Sequence, residues 1–163
     1  MAEDLILSHW HQSIEGLGIV PSEFYAAVET AITTHKVPDV ALTRVKQAEG
    51  GAFSAQREYL RVRRGEYHFD ICGAPFANGS FVSWWLVQEA GCARGCLSVI
   101  PVLGWMLLAF LYRETYYKID TRLMFQGAIH SAVLEVVDAL TKAKGLRALE
   151  GEERKPTIRK LLG

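Results

Sequence analysis

The feature that most restricts the fold is a run of 18 residues without a charge, 95–112, with the sequence GCLSVIPVLGWMLLAFLY. Eighteen residues reach the lower length limit for a helix that spans a bilayer. The run contains Pro101 and Gly104, which weaken a continuous helix. It also divides a predicted sheet from a predicted long helix, and a single span would leave the apolar faces of both in water. A single span is therefore disfavoured.

Three other placements of this segment remain open. It could be a buried core element, an exposed apolar hairpin that dips into a membrane surface, or an interface with a second copy or a protein partner. Large aromatic side chains anchor both membranes and protein interfaces, so they do not separate the last two. The candidate interface residues are Leu103, Trp105, Leu107, Leu108 and Phe110.

The composition indicates one globular domain over residues 1–163. Half of the residues are apolar and 22% are charged, which suffices for a core and argues against disorder. Lys plus Arg equals Asp plus Glu at 18 each, so binding to nucleic acid is not expected. Three cysteines argue against a disulfide framework, and the N-terminus lacks the pattern of a secretory signal. We expect a cytoplasmic protein, with membrane association as an open alternative.

Four runs rich in β-branched and aromatic residues predict an antiparallel meander. Turn-forming pairs separate them, among them Arg64-Gly65 and Asn78-Gly79. The stretch 113–120 is a candidate fifth strand. The four runs are 40–48, 57–64, 66–72 and 80–88.

The turn residues also predict a register. With Arg64-Gly65 as a two-residue turn, Arg61 faces His68 and Leu60 faces Phe69. With Asn78-Gly79 as the next turn, Ile71 faces Leu86 and Asp70 faces Val87. In the first hairpin this register places apolar residues opposite apolar ones and bases opposite acids, as a correct pairing should.

Helices are predicted on both sides of the meander. Residues 3–14 show a short amphipathic pattern, and a second helix begins with Ser22 as its N-cap and runs to about His35. A long helix begins at Asp120 or Thr121 and ends near Lys144, with Gly145 as its C′ residue. Its apolar stripe suits the apolar face of the sheet. The charged tail, 146–163, is either docked or mobile.

These elements predict an α+β fold. A four- to five-stranded antiparallel meander carries the long C-terminal helix on its apolar face, with one or two helices near the N-terminus.

One strand face gathers groups that could support acid–base chemistry. His68 and Asp70 share that face, with Arg61 and Tyr59 opposite them. The same residues also fit an ordinary cross-strand salt-bridge ladder. No nucleophile motif and no glycine-rich phosphate loop accompanies them, so the ladder is the favoured interpretation.

A metal site is a weaker candidate. Cys92 and Cys96 are four residues apart, within loose zinc-ligand spacing, and Cys72 and His68 could complete a set. There is no second paired motif, so small buried cysteines are favoured and no metal or cofactor is predicted.

The favoured function is that of a non-enzymatic interaction or assembly protein. It would use the 95–112 segment and the long helix to contact a copy of itself or a protein partner. The first alternative is a peripheral membrane or apolar-ligand-binding domain. The second is a small enzyme that uses the His68 and Asp70 face.

Overall fold

The computed structural model describes residues 4–48, 56–89 and 115–158. Within these residues there are six strands, two α-helices and a short 3-10 helix. The elements are β1 (Leu5–Glu15), α1 (Pro21–Thr34), β2 (Ala41–Ala48), β3 (Gln56–Arg64), β4 (Tyr67–Phe76), β5 (Gly79–Gln88), α2 (Tyr116–Ala143), the 3-10 helix (Gly151–Arg154) and β6 (Thr157–Ile158).

All six strands belong to one antiparallel sheet with the order β2-β3-β4-β5-β1-β6. The predicted meander is β2 to β5, and the chain's first and last strands extend it beyond β5. The α+β class, the antiparallel sheet and the long C-terminal helix are thus confirmed. The number of strands is larger than predicted.

The prediction of a helix over residues 3–14 was wrong, because this segment is strand β1. The pairing of β1 with β5 shifts between Ile6 and Ser8, which changes the phase of the alternation near the start of the strand. Beyond this irregularity Trp10 and Ile14 are buried, whereas His11 and Ser13 are exposed. The broken alternation concealed the two-residue period.

The predicted register of both hairpins was wrong by two residues. Arg61 faces Asp70 rather than His68, and Val62 rather than Leu60 faces Phe69. A shift of two keeps every side chain on its predicted face, so polarity alone could not detect it. The turn decides the register. Gly65 is the first of the two turn residues and has a φ of +58°. Two-residue hairpin turns need a positive φ at this position, which glycine adopts readily.

The second hairpin turns at Ala77 and Asn78, so Ile71 faces Trp84 rather than Leu86, and Asp70 faces Trp85 rather than Val87. Gly79 lies in the strand, where β1 approaches closely. A Cβ atom added there would stand 2.2 Å from the carbonyl oxygen of Ile14. The close approach of β1, rather than the turn, therefore requires this glycine.

The predicted helix starts also need correction. Helix α1 begins at Pro21, and its N-cap is Val20 rather than Ser22. Proline suits the first position of a helix, because the N–H that it lacks would have no partner within the helix. Helix α2 begins at Tyr116, so the proposed fifth strand over 113–120 is helical from that residue onward. Thr115, not Asp120 or Thr121, is its N-cap and accepts a hydrogen bond from the backbone N–H of Lys118.

The core lies between one face of the sheet and the two helices. Phe69 packs edge-on against both Trp84 of β5 and Phe125 of α2. The apolar stripe predicted for the long helix is buried. Its buried residues are Phe125, Ile129, Ala132, Val133, Leu134, Val136, Val137 and Thr141.

The tail is docked over its described part. Leu149 is buried in the core, and Thr157 pairs with His9 at the edge of the sheet. The carbonyl oxygen of Glu153 accepts hydrogen bonds from Trp10 and Gln12.

The helix face can be tested by a pair of aspartate substitutions. Val133 is fully buried, so Val133→Asp should lower the free energy of unfolding by about 3–5 kcal/mol. Ser131 is exposed, so Ser131→Asp should change it by less than about 0.5 kcal/mol. Urea titration measures both, and equal effects would contradict the assigned face.

Candidate functional site

Arg61, His68 and Asp70 lie together on the sheet face that points away from the helices. The guanidinium of Arg61 donates two hydrogen bonds of 2.7 Å to the two carboxylate oxygens of Asp70. Arg63 donates to Glu89 at 2.5 Å. His68 lies between these two ion pairs, so the cluster forms a ladder of alternating charge around one imidazole.

His68 is 2% exposed, and its Nδ1 atom lies 3.2 Å from a carboxylate oxygen of Glu89. The direction of that contact does not make it a hydrogen bond, so among the described residues Nδ1 has no hydrogen-bond partner. Its Nε2 atom is 3.7 Å from Asp70, which is also too far. Burial lowers the pKa of His68 below its ordinary value, against the opposing effect of Asp70.

This geometry favours a structural ladder over acid–base catalysis. Both oxygens of Asp70 are committed to Arg61, and the imidazole of His68 is sealed from solvent. A general acid or base must reach a substrate proton at about 2.6–3.2 Å. The residues needed for the enzymatic alternative are therefore close together, but in an arrangement that suits stability.

Tyr59 is on the same strand as Arg61. Burial is the main cause that raises its pKa, and the charge of Asp70 acts in the same direction, whereas Arg57 acts to lower it. Cys72 is fully buried, and burial raises the pKa of its thiol, so it is a neutral group. Within residues 4–48, 56–89 and 115–158 no group of three His, Cys, Asp or Glu side chains is arranged so that it could hold a metal ion.

The remaining candidates lie outside the described residues. They are the cysteines Cys92 and Cys96, and the interface residues Leu103, Trp105, Leu107, Leu108 and Phe110.

A second histidine, the partly buried His130 of α2, makes two hydrogen bonds. Its Nδ1 atom accepts from the indole Nε1 of Trp84 at 3.1 Å, and its Nε2 atom lies 2.7 Å from the carbonyl oxygen of Arg154. This pattern fits only the neutral imidazole with its proton on Nε2. Burial lowers the pKa of His130, and a second proton on Nδ1 would face the indole N–H.

Glu89, the last described residue before the apolar segment, lies at the same end of the molecule as the first turn of α2. The backbone N–H of Glu89 donates to the carbonyl oxygen of Glu66 at 2.9 Å. Glu66 and Tyr67 in turn share a hollow of about 320 Å³ with Tyr117 and Lys118. We call this end of the molecule, where the turn of Gly65 and Glu66 lies, the β-turn end.

Large apolar side chains are exposed at the β-turn end and along the start of α2. Tyr116 is 89% and Tyr117 is 80% exposed, and Leu123 and Met124 are also exposed. Leu123 and Met124 lie within the long helix as it was predicted, whereas Tyr116 and Tyr117 belong to the stretch that was predicted as a strand.

Sequence patterns missed two partners in this arrangement. Glu89 lies at the end of a strand, where alternation no longer predicts its direction, and the contact between Trp84 and His130 joins residues 46 apart. No local signal reports either contact.

Comparison with known proteins adds little. The chain matches no protein-family model and no curated protein. One solved structure, the crystal structure of the di-domain ARO/CYC StfQ from the steffimycin biosynthetic pathway, aligns with 12% identity and a TM-score of 0.34. The alignment covers 86% of this chain and 52% of that one, about half its length. At this TM-score the match carries no argument about the present chain.

Among the described residues, one helix, α2, is long and apolar enough by length and composition to cross a membrane. Its buried stripe packs against the sheet, as a core helix does.

The Arg61–Asp70 pair gives a direct test of the ladder. Asp70→Asn leaves a partly buried guanidinium without its counter-charge and should lower the free energy of unfolding by about 2–4 kcal/mol. Glu29→Gln breaks the more exposed pair with Arg44 and should cost less than about 1 kcal/mol. Equal losses in urea titrations would show that the ladder is not structural.

His68 and His130 predict a stability that falls in acid. Because the folded pKa values of His68 and His130 lie below their ordinary value, the unfolded chain binds protons more tightly. The free energy of unfolding is therefore not reduced by these two groups above about pH 6.5. As the pH falls below that value, it decreases by up to about 1.4 kcal/mol per pH unit for each group.

His130→Gln should lower stability at pH 7.5 but reduce the further loss between pH 7.5 and 5.0. His11→Gln, at an exposed histidine, should leave that loss unchanged. Denaturant titrations at the two pH values measure the difference, and an unchanged pH dependence in His130→Gln would contradict the neutral assignment.

Proposed function

We propose that this protein is a binding protein that attaches to an anionic membrane surface through its β-turn end. The observation that carries the proposal is that Glu89 and the first turn of α2, the described residues on either side of 90–114, lie at this end beside exposed aromatic residues. The apolar run 95–112 lies between Glu89 and Thr115, outside the described residues.

The packing of the domain supports entry and exit on one side. Helix α2 and strand β5 are joined through Trp84 and His130, and through Phe69 and Phe125 across the same core. A single pass of the segment would separate these elements by a bilayer. If the segment enters lipid, it must therefore leave by the side from which it entered.

The sequence of the segment suits a hairpin of that kind. Pro101 and Gly104 lie near its centre, with six residues before Pro101 and eight after Gly104. Helical arms of that length reach about 9–12 Å, within one leaflet of a hydrocarbon core of about 30 Å. The proposal thus needs only one leaflet.

The described residues at the β-turn end have the chemistry of a membrane interface. Tyr116 and Tyr117 are almost fully exposed, and tyrosine is enriched where hydrocarbon meets headgroups. Arg64 and Lys118 line the hollow beside them, together with the acidic Asp39 and Glu66. Basic side chains near an anionic surface each contribute about 1 kcal/mol to binding, and the two acids oppose this contribution.

Flotation with vesicles of phosphatidylcholine and phosphatidylserine tests the proposal. The full chain should float, and the double change Tyr116→Ser with Tyr117→Ser should weaken binding at least fivefold. The change Phe76→Ser removes another exposed aromatic residue, at the opposite end of the sheet, and should have no effect. Trp105→Ser with Leu108→Ser should abolish flotation while circular dichroism stays unchanged.

Other outcomes contradict membrane binding in distinct ways. A wild type that stays at the bottom of the gradient and forms an oligomer, which Trp105→Ser with Leu108→Ser converts to a monomer, would support self-association through 95–112 instead. A wild type that is monomeric and ignores vesicles, with a double variant that unfolds, would assign the segment to the core. The tyrosine variant keeps the test valid even if the segment variant unfolds.

A further inference from the structure

Strands β3 and β4 separate at the end of the sheet opposite the β-turn end. Their ladder stops at the pair Leu60 and Ile71, although β4 continues to Phe76. The hydroxyl of Tyr25, from α1, enters the gap, donates to the carbonyl oxygen of Glu58 at 2.6 Å and accepts from the backbone N–H of Gly73 at 3.3 Å. The gap between the strands is therefore held open by a defined side chain.

Two hollows flank this gap, with volumes of about 450 and 370 Å³. The larger contains Tyr25 and Tyr59, and the smaller contains Phe76 and Phe81. They share a wall made of Arg57, Ala74 and Pro75. A single small molecule could therefore contact both hollows across Arg57.

Arg57 is exposed and differs from its neighbours on β3. Arg61 and Arg63 each hold a carboxylate, whereas Arg57 has no ion pair among the described residues. Its positive charge acts to lower the pKa of Tyr59 and of the Cys72 thiol, against the larger opposing effect of burial. The one carboxylate in the walls of the larger hollow, Glu58, lies 3.7 Å from Arg44. Among the described residues, no carboxylate therefore pairs with the guanidinium of Arg57.

Four aromatic rings lead along the sheet to the smaller hollow. Trp85 stacks on His9 at 4.9 Å, His9 stacks on His11 at 5.9 Å, and His11 stacks on Phe81 at 6.1 Å between ring centroids. The planes of neighbouring rings differ by 5° to 28°. Phe81 ends the row and lines the hollow, so a further planar ring could extend the row there.

We propose that these two hollows form a binding site for a small aromatic carboxylate. The carboxylate pairs with the guanidinium of Arg57, which can bind it through two hydrogen bonds. The aromatic ring lies against Phe81 and Phe76 at the end of the ring row. This site is at the opposite end of the sheet from the proposed membrane surface, so the two proposals can fail separately.

Calorimetry with 2-naphthoate as the probe tests the site. The wild type should bind one equivalent, and the neutral 2-naphthamide should bind at least tenfold more weakly. Arg57→Gln should weaken naphthoate binding at least tenfold, and Phe81→Leu several-fold. Arg64→Gln removes an arginine at the β-turn end and should leave the affinity within twofold of the wild type.

The absence of saturable binding to the wild type would overturn the proposal, as would equal effects of Arg57→Gln and Arg64→Gln. If octanoate binds as tightly as naphthoate and Phe81→Leu weakens neither, the aromatic part of the proposal is wrong. The comparison of naphthoate with naphthamide uses the wild type alone, so it decides the role of charge even if a variant fails to fold.

Discussion

The contact between Trp84 and His130 joins the sheet, the long helix and the tail. Trp84 is fully buried, donates its indole N–H to His130, and packs against Phe69 in the core. The Nε2 atom of His130 in turn donates to the carbonyl oxygen of Arg154. The side chain of Arg154 makes two hydrogen bonds of 2.9 Å to Asp138 of α2. A buried polar chain of this kind is favourable only when every member is satisfied, which requires a neutral imidazole.

This contact also constrains what the apolar segment can do. Because β5 and α2 pack on each other, the chain between Glu89 and Thr115 must start and finish on one folded unit. The two ends of the sheet then differ in chemistry. One end gathers exposed tyrosines with both basic and acidic residues. The other holds an open gap, an arginine without a counter-charge among the described residues, and the end of a row of rings. The account therefore assigns surface attachment to one end and small-molecule binding to the other.

The sequence predicted the faces of the strands better than their register. Alternation placed Leu60, Val62 and Phe69 on one face, and all three are buried. It could not fix which residues face each other, because a shift of two preserves that pattern. The start of α2 was missed because Tyr116 and Tyr117 favour strands, whereas Thr115 caps a helix there.

For the candidate site, too, the sequence predicted which residues share a face but not all of their contacts. Alternation alone brought Arg61, His68 and Asp70 to one face, where the structure also has them. The role of Glu89 and the row of rings depend on β1 and on strand ends. The first strand was taken for a helix, so His9 and His11 could not be placed beside Trp85 and Phe81.

The most direct test of the account is amide hydrogen exchange of the full chain with and without vesicles that contain phosphatidylserine. The account predicts that vesicles slow exchange in peptides covering 95–112 and 116–124, and leave peptides covering 71–81 unchanged. Slower exchange at the opposite end of the sheet, or no change in 116–124, would contradict it. Equal protection of 95–112 without vesicles, which increases with protein concentration, would show that a second copy rather than lipid covers the segment.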